Sequence, residues 1–249
     1  LPKVLHPICG RPMVAYAWDL AVTAGVRQPI IVLSKDADQV TPHLPKERKV
    51  AGQENPLGTG DAVLAAKKFL GATGDLLILY ADTPLVRRTT VQRLVETHRK
   101  SNATATLLTA HFADPTGYGR IVRDPTGIVT GIVEESDANA AERAIREVNV
   151  GPLVAKIGPL LEALAAVGPS KSGKEWYLTE AIEILAKKEG TKFQAVRIDK
   201  ATEALGVNTR VDLSNAASVI RQRILEGHMT NGVTVVDPQV TYIDQGVTI

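Results

Sequence analysis

Short apolar runs alternate with amphipathic segments through the first half of the chain, which predicts strands followed by helices. Residues 29–34, 76–80 and 103–112 are rich in aliphatic side chains, as expected for strands that are buried on both faces. Helical patterns cover residues 10–25, 61–70 and 86–100. The order strand, helix, strand predicts an α/β fold, doubly wound around a parallel sheet with right-handed crossovers.

The pattern changes after residue 118. Residues 119–124 and 127–135 resemble two short strands around a turn at Asp124–Gly127, so a hairpin is expected. Further elements are predicted as a strand at 148–157, helices at 158–167 and 176–189, and a strand at 192–198. From Val211 to Gly227 an apolar stripe recurs at helical spacing, formed by Leu213, Ala217, Ile220 and Ile224. Ile243 and Ile249 lie six residues apart, a period that is typical of a parallel β-helix but covers only one rung here.

Composition narrows the functional classes. The chain has 249 residues, 44% hydrophobic and 22% charged, which suits one large globular α/β domain with a small appendage. The formal net charge is +2 and the basic residues are scattered, so neither a nucleic acid nor an anionic membrane is expected as a partner. Cys9 is the single cysteine, which excludes an internal disulfide and favours a reducing cytoplasm.

Asp82 is the first candidate for chemistry, because it follows the apolar run at 76–80. Ligands of open α/β sheets bind at the carboxyl ends of strands, where a carboxylate is well placed to hold a divalent metal. The alternative is that Asp82 only caps the turn with Thr83 and Pro84. A second oxygen ligand must come from elsewhere, and spacing does not choose among Asp61, Asp75, Glu134, Glu135, Asn149 and Asn208.

A second candidate is the segment from Gln53 to Gly60, QENPLGTG, at the predicted start of a helix. Its glycines would let the backbone approach a ligand, and the free N–H groups of a helix start suit a phosphate or a base edge. The alternative is a tight loop whose glycines serve geometry alone. The chain contains no Walker loop, no GxGxxG helix start, no zinc-ligand spacing and no GxSxG elbow.

Nine short segments, spread along essentially the whole chain, carry a resemblance to a known family, in which they occur in the same order. They are LPKVLHPICGRPM, QENPLGTGDA, LLILYADTPL, DPTGYGRIVRD, VTGIVEE, VNVG, EWYLTE, GVNTRVDL and VTVVDPQVTYIDQGVTI. Together they resemble the uridyltransferase half of the bacterial bifunctional N-acetylglucosamine-1-phosphate uridyltransferases/glucosamine-1-phosphate N-acetyltransferases. This resemblance implies a Rossmann-like nucleotide-diphospho-sugar transferase fold with a mixed sheet. It also implies a catalytic domain at 1–208, a connecting helix at 209–231 and the beginning of a left-handed β-helix at 232–249.

The same resemblance implies residue roles. Lys3 and Asp82 would be catalytic, and Asp82 with Asn208 would hold Mg²⁺. The nucleotide would be bound by Lys3, Gln53, Gly58, Thr59, Tyr80, Ala81 and Asp82, and the sugar phosphate by Gly119, Glu134, Asn149, Tyr177 and Thr179. Taken singly, these residues have plainer interpretations: a surface charge for Lys3, a turn glycine for Gly119, a strand-end charge for Glu134, a strand cap for Asn149 and a core aromatic for Tyr177.

Three departures from the family pattern stand out. The Gly-rich loop that wraps the triphosphate is expected directly before Leu1, so we expect the chain to be part of a longer protein. The family's Tyr-Gly-Asp is Tyr80-Ala81-Asp82, where a methyl group could crowd the nucleotide. Trp176 stands in place of a usual Tyr, and Lys174 in place of a Gly before Glu175.

The resemblance implies Mg²⁺-dependent transfer of UMP from UTP to N-acetylglucosamine 1-phosphate, giving UDP-N-acetylglucosamine, a precursor of peptidoglycan and lipopolysaccharide, and pyrophosphate. Two alternatives stay open: a nucleotidyltransferase for another sugar 1-phosphate, and a nucleotide-binding fragment without catalysis. Acetyltransferase activity is not expected, because the family carries it in the β-helix. The family's homotrimer is expected to be weakened or lost for the same reason, and the expected location is the cytoplasm.

Overall fold

The computed structural model describes residues 1–34, 37–46, 48–167 and 176–249. Its strands are β1 (Pro7–Ile8), β2 (Arg11–Pro12), β3 (Ile30–Leu33), β4 (Lys49–Gly52), β5 (Asp75–Ile78), β6 (Ala105–His111), β7 (Arg120–Arg123), β8 (Val129–Val133), β9 (Glu147–Lys156) and β10 (Phe193–Arg197). Its α-helices are α1 (Met13–Thr23), α2 (Ala37–Val40), α3 (Thr59–Ala65), α4 (Arg88–Ser101), α5 (Ala140–Arg143), α6 (Ile157–Ala166), α7 (Leu178–Lys187) and α8 (Arg210–Thr230). The elements predicted from periodicity are therefore confirmed, with ends shifted by a few residues.

The main sheet is mixed, which confirms the mixed sheet implied by the resemblance, whereas the parallel sheet predicted from the strand and helix pattern is wrong. Its strands lie in the order β10, β6, β9, β7, β8, and β5 pairs with the second half of β9. β10 and β6 are parallel, whereas β9 runs antiparallel to β5, β6 and β7. The reason is the predicted hairpin, which is confirmed: the chain reverses between β7 and β8, and β9 therefore enters the sheet against the direction of β6.

β3 and β5 are less buried than predicted. β3 pairs with β4 in a separate parallel pair, and β5 pairs with β9. The residues of β3 and the aliphatic residues of β5 are partly exposed, whereas β6 is buried from Ala105 to Ala110. Among the described strands, β3 and β5 each have a sheet neighbour on one side only, so fewer side chains cover them.

Helices cover both faces of the main sheet, as the doubly wound prediction requires. Leu107 of β6 packs into one core cluster with Leu160 of α6 and Ile182 of α7. The next residue along the strand, Leu108, packs into a second cluster with Leu94 of α4. Successive side chains of a strand point to opposite faces, so β6 contributes to both halves of the core.

α8 lies against the start of the chain. It begins with a capping box between Thr209 and Asp212, and its predicted apolar stripe is confirmed. Ile220 of this stripe packs in one cluster with Ile8 and Met13. Residues 231–249, all of them described, contain neither helix nor strand, so the β-helix and the division into domains stay predictions. No helix within the described ranges has the length and apolar character to cross a membrane.

Candidate active site

Asp82 and Asn208 lie together at the end of the β5 segment. The backbone N–H of Val207 donates a 2.8 Å hydrogen bond to the Asp82 carbonyl oxygen, which places residue 208 beside residue 82. The Asn208 N–H donates to Asp212 Oδ2 at 3.0 Å, so the start of α8 fixes the backbone on the other side. Both backbones are therefore held by contacts that do not involve their side chains.

Lys3 lies between these two side chains. Its Nζ donates to Asp82 Oδ2 and to Asn208 Oδ1, each at 2.8 Å. Lys3 belongs to a 3-10 turn, Lys3–Leu5, and the Lys3 and Asp82 side chains are 42% and 37% exposed. The three residues expected for catalysis and metal binding thus converge on one point that solvent can reach.

Of the six candidates for the second ligand, Asn208 is the one whose side chain contacts the same ammonium group as Asp82, Lys3 Nζ. The other five have different contacts: Asp61 with Gln53, Asp75 with His98, Glu134 with Thr179, Glu135 with Arg120, and Asn149 with the Gly151 N–H. Within the described residues, no group of three or more His, Cys, Asp or Glu side chains could hold a metal ion. A carboxylate paired with an amide oxygen suits a cation that completes its shell with water and phosphate.

The predicted nucleotide loop is held from both ends. Gln53 Nε2 donates to the Gly58 carbonyl oxygen at 3.1 Å and to Asp61 Oδ2 at 2.6 Å. Thr59, the first residue of α3, accepts a 3.0 Å hydrogen bond at Oγ1 from the Leu178 N–H. The loop therefore joins the start of α3 to the start of α7.

The glycines of this loop have a steric reason. Gly58 has a φ of +125°, and a Cβ there would lie 2.5 Å from the Trp176 carbonyl oxygen. The Gly60 N–H donates to that same oxygen at 2.8 Å, and a Cβ at Gly60 would lie 3.1 Å from it. The geometric interpretation of both glycines thus holds, whatever ligand the loop takes. Trp176 contributes through its backbone, while Lys174 and Glu175 lie outside the described residues.

Tyr80 and Ala81 are half-buried. A Cβ at Gly151 would lie 3.1 Å from Tyr80 Cδ2, so the ring fits against a residue without a side chain. Burial raises the pKa of the Tyr80 hydroxyl well above its ordinary value, the charges of Glu134 and Asp82 raise it further, and a hydrogen bond with Thr59 acts in the opposite direction. The Ala81 side chain packs against the core cluster of Leu5, Val14, Val40 and Leu44.

Four of the five residues expected at the sugar phosphate form one cluster. The Asn149 N–H donates to the Gly119 carbonyl oxygen at 2.8 Å, and a Cβ at Gly119 would lie 3.2 Å from Glu134 Oε2. The Thr179 hydroxyl donates to Glu134 Oε1 at 2.7 Å. Tyr177, the fifth residue, lies at the N-cap position of α7, directly before Leu178.

This geometry can be compared with known proteins. The family model described as nucleotidyl transferase matches residues 1–201. The chain belongs to the nucleotidyl transferase family. Two curated relatives are both named "Bifunctional protein GlmU": one from Caldanaerobacter subterraneus subsp. tengcongensis, 45% identical, and one from Enterococcus faecalis, 44% identical. Each match covers 100% of this nucleotidyl transferase and 54% of the relative, so the chain spans about half the length of these proteins.

Solved structures bear out the fold of this nucleotidyl transferase. A UDP-glucose pyrophosphorylase complexed with UDP-glucose superimposes with a TM-score of 0.74, covering 90% of this chain and 91% of the other, at 16% sequence identity. An apo structure of UDP-glucose pyrophosphorylase gives a TM-score of 0.71 over similar shares. At this identity the likeness shows the fold alone.

Sequence reasoning missed one structural feature beside the candidate site, the ion pair of Arg120 and Glu135. Arg120 is 1% exposed, and its Nη2 lies 2.6 Å from Glu135 Oε2. Arg120 also donates to the Tyr118 carbonyl oxygen, and Glu135 accepts from the Gly117 N–H at 3.2 Å. The hydrogen bond from Arg120 lowers the pKa of Glu135. The pair thus fixes the loop before Gly119. The sequence signal for it is Arg120 in the predicted strand at 119–124, together with the two acids, Glu134 and Glu135, at the end of the next predicted strand.

Proposed function

We propose that this nucleotidyl transferase transfers UMP from UTP to N-acetylglucosamine 1-phosphate, giving UDP-N-acetylglucosamine and pyrophosphate. The observation that carries the proposal is the convergence of the Asp82 and Asn208 side-chain oxygens on one ammonium group, Lys3 Nζ. Tyr80 lies between this point, the nucleotide loop and the sugar-phosphate cluster. It is hydrogen-bonded to Thr59, and the charges of Glu134 and Asp82 affect its hydroxyl. The similarity to two proteins named GlmU supports this substrate pair over others.

The residues present fit a divalent metal. Asp82 and Asn208 would hold Mg²⁺ through one carboxylate and one amide oxygen, and both oxygens already face a common cation. When bound, Mg²⁺ supplies neutralisation of the charge on the phosphate oxygens. Lys3 would supply a further positive charge to the triphosphate.

The chemistry requires alignment and charge rather than proton abstraction. An oxygen of the sugar phosphate attacks the α-phosphorus of UTP in line, a new O–P bond forms, and the bond to the bridging oxygen breaks. Pyrophosphate leaves with that electron pair. A phosphate monoester dianion is already a competent nucleophile, so no general base is needed, and binding in the correct orientation supplies much of the acceleration.

The remaining residues have positioning roles in this proposal. Gln53, Gly58 and Thr59 would read the uracil, and Tyr80 and Ala81 stay predicted nucleotide contacts. Gly119, Glu134, Asn149, Tyr177 and Thr179 would hold the amino sugar phosphate. A β-helix that begins at residue 232, a homotrimer in the whole protein and a cytoplasmic location belong to the same proposal, since they rest on the resemblance.

The test compares Asp82→Asn with Asp199→Asn, an exposed carboxylate that pairs with Arg93 away from the site. Pyrophosphate release is measured with UTP and N-acetylglucosamine 1-phosphate, and UTP binding by calorimetry. We expect Asp82→Asn to lower kcat by about 100-fold or more, with a smaller effect on UTP affinity, because charge stabilisation acts most strongly in the transition state. Asp199→Asn should behave as the unmodified protein. A normal kcat in Asp82→Asn would refute the assignment.

The same assay separates the alternatives. UTP binding without pyrophosphate release from the unmodified protein would favour a nucleotide-binding fragment. Faster release with glucose 1-phosphate than with N-acetylglucosamine 1-phosphate would favour a nucleotidyltransferase for another sugar.

A further inference from the structure

The Lys3 ammonium uses the same two oxygens that the proposed metal would need. Its Nζ is 2.8 Å from Asp82 Oδ2 and 2.8 Å from Asn208 Oδ1. A Mg²⁺ ion binds such oxygens at about 2.0–2.1 Å. Two cations that share one pair of oxygens repel each other and compete for the same lone pairs.

We propose that Lys3 couples metal binding to nucleotide binding. Without nucleotide, its ammonium competes with a divalent cation for Asp82 and Asn208. A bound triphosphate offers the ammonium another set of anionic acceptors, and the two oxygens then become available to the metal. This inference rests on the proposed function, and it assigns to Lys3 a role in the order of ligand binding besides its contact with phosphate.

Lys3 can leave these oxygens at low cost. The Lys3 and Asp82 side chains are 42% and 37% exposed, and ion pairs with this degree of exposure are weak because water screens them. Phosphate oxygens also form charge-assisted hydrogen bonds with an ammonium group, and a triphosphate carries more negative charge than one carboxylate. The triphosphate is therefore a suitable competitor for Lys3.

The backbones that carry these two oxygens stay in place when Lys3 leaves. The Val207 N–H bonds to the Asp82 carbonyl oxygen, and Asp212 accepts from the Asn208 N–H, so the backbones at 82 and 208 are fixed without Lys3. Removal of the ammonium should consequently expose a metal site that is already formed.

A matched control is available in Arg210. It lies two residues after Asn208, and its Nη1 is 3.0 Å from His6 Nδ1. Arg210→Gln removes one positive charge from the neighbourhood without removing a contact to Asp82 or Asn208. Lys3→Met removes the same charge together with both contacts.

The experiment titrates the protein with Mn²⁺ in the absence of nucleotide and follows free Mn²⁺ by electron paramagnetic resonance. We expect Lys3→Met to bind Mn²⁺ about 10-fold more tightly than the unmodified protein, a coupling within the usual range between two sites. Arg210→Gln should change the affinity by less than about 2-fold, as expected for a screened charge farther away. Lys3→Met binding no more tightly than Arg210→Gln would overturn the proposal.

A second titration in the presence of UTP, without sugar phosphate, completes the thermodynamic cycle of Mn²⁺ and UTP binding. The fit of the binding curve includes the Mn²⁺–UTP complex that forms in solution. The factor by which UTP strengthens Mn²⁺ binding should be smaller in Lys3→Met by the same 10-fold or so, because coupling between two ligands is reciprocal. An unchanged factor would contradict the proposal.

Asp82→Asn separates the two possible failures. If this variant loses Mn²⁺ binding while Lys3→Met fails to gain it, the metal site stands and the coupling role of Lys3 is wrong. If Asp82→Asn binds Mn²⁺ as the unmodified protein does, the metal assignment under the proposed function is itself wrong, and the coupling role is wrong with it.

Discussion

The Thr179 hydroxyl donates a 2.7 Å hydrogen bond to Glu134 Oε1, which joins the start of α7 to the residue that follows β8. The other oxygen of the same carboxylate lies 3.2 Å from where a Cβ on Gly119 would be. The Thr179 bond thus helps to orient the Glu134 carboxylate, whose other oxygen faces a glycine. This relationship defines how the proposed sugar-phosphate cluster is held.

Thr179→Val should test that orientation, since it keeps the shape of the side chain and removes the hydroxyl. Hydrogen bonds to charged groups contribute about 1.5–3 kcal/mol, so we expect kcat/KM for N-acetylglucosamine 1-phosphate to fall by about 10- to 100-fold. The KM for UTP should change little. Steady-state kinetics with each substrate varied in turn measure both values. Thr179→Ser keeps the hydroxyl and should retain most of the activity; equal losses in both variants would contradict the interpretation.

Local patterns were enough to predict most of the elements. The hairpin followed from two short strands around Asp124–Gly127, and α8 from the stripe that includes Leu213 and Ile220. The strand direction was not predictable in the same way. β9 pairs with β6 along its length, and nothing in its own residues states that it runs antiparallel. Direction depends on the connections before it, which a strand pattern does not contain.

The site could be predicted only in part from local sequence, because its residues are far apart along the chain. Lys3 and Asn208 are 205 positions apart, and they meet beside Asp82, where the Val207 N–H bonds to the Asp82 backbone and Lys3 contacts the Asp82 carboxylate. No spacing rule marks Asn208, and only the resemblance singled it out. Arg120 was overlooked because an arginine in a short strand is usually a solvent-exposed side chain, whereas here Glu135 compensates its burial.

Gly58→Ala should damage both stability and UTP binding. The residue has a φ of +125°, and the new Cβ would lie 2.5 Å from the Trp176 carbonyl oxygen, so strain and collision add. Backbone strain of this kind costs about 1–3 kcal/mol, and the collision should take the loss in free energy of unfolding to the upper end of that range or beyond. Denaturant titration measures the loss, and calorimetry measures UTP affinity.

Gly127→Ala is the matched control for that substitution. Gly127 also has a positive φ, +87°, but nothing lies within 4 Å of its added Cβ. We expect it to lose about 1–2 kcal/mol, the cost of a left-handed conformation alone, with UTP affinity unchanged. A Gly58→Ala protein that is no less stable than Gly127→Ala would show that the loop adapts to the side chain.

His98 should make the protein less stable in mild acid. It is 1% exposed on α4, with Nδ1 3.0 Å from Thr106 Oγ1 and Nε2 3.3 Å from Asp75 Oδ1. Burial lowers the pKa of the imidazole, and this outweighs the attraction of Asp75, which acts to raise it. Below the unfolded-state pKa of about 6.5 the unfolded chain binds a proton that the folded protein resists. The free energy of unfolding should therefore fall as the pH falls through that value toward the lower folded pKa.

The measurement is the free energy of unfolding from denaturant titrations between pH 7.5 and pH 5.5. One such histidine contributes a slope of at most about 1.4 kcal/mol per pH unit, and this part of the slope should vanish in His98→Gln even if that variant is less stable at every pH. His43→Gln, which removes an exposed imidazole, controls for the loss of a histidine as such. If the slope of His98→Gln equals that of the unmodified protein, another group is responsible for the loss of stability in acid. If only His98→Gln flattens the curve, burial of the His98 imidazole is what keeps that ring neutral in the folded state.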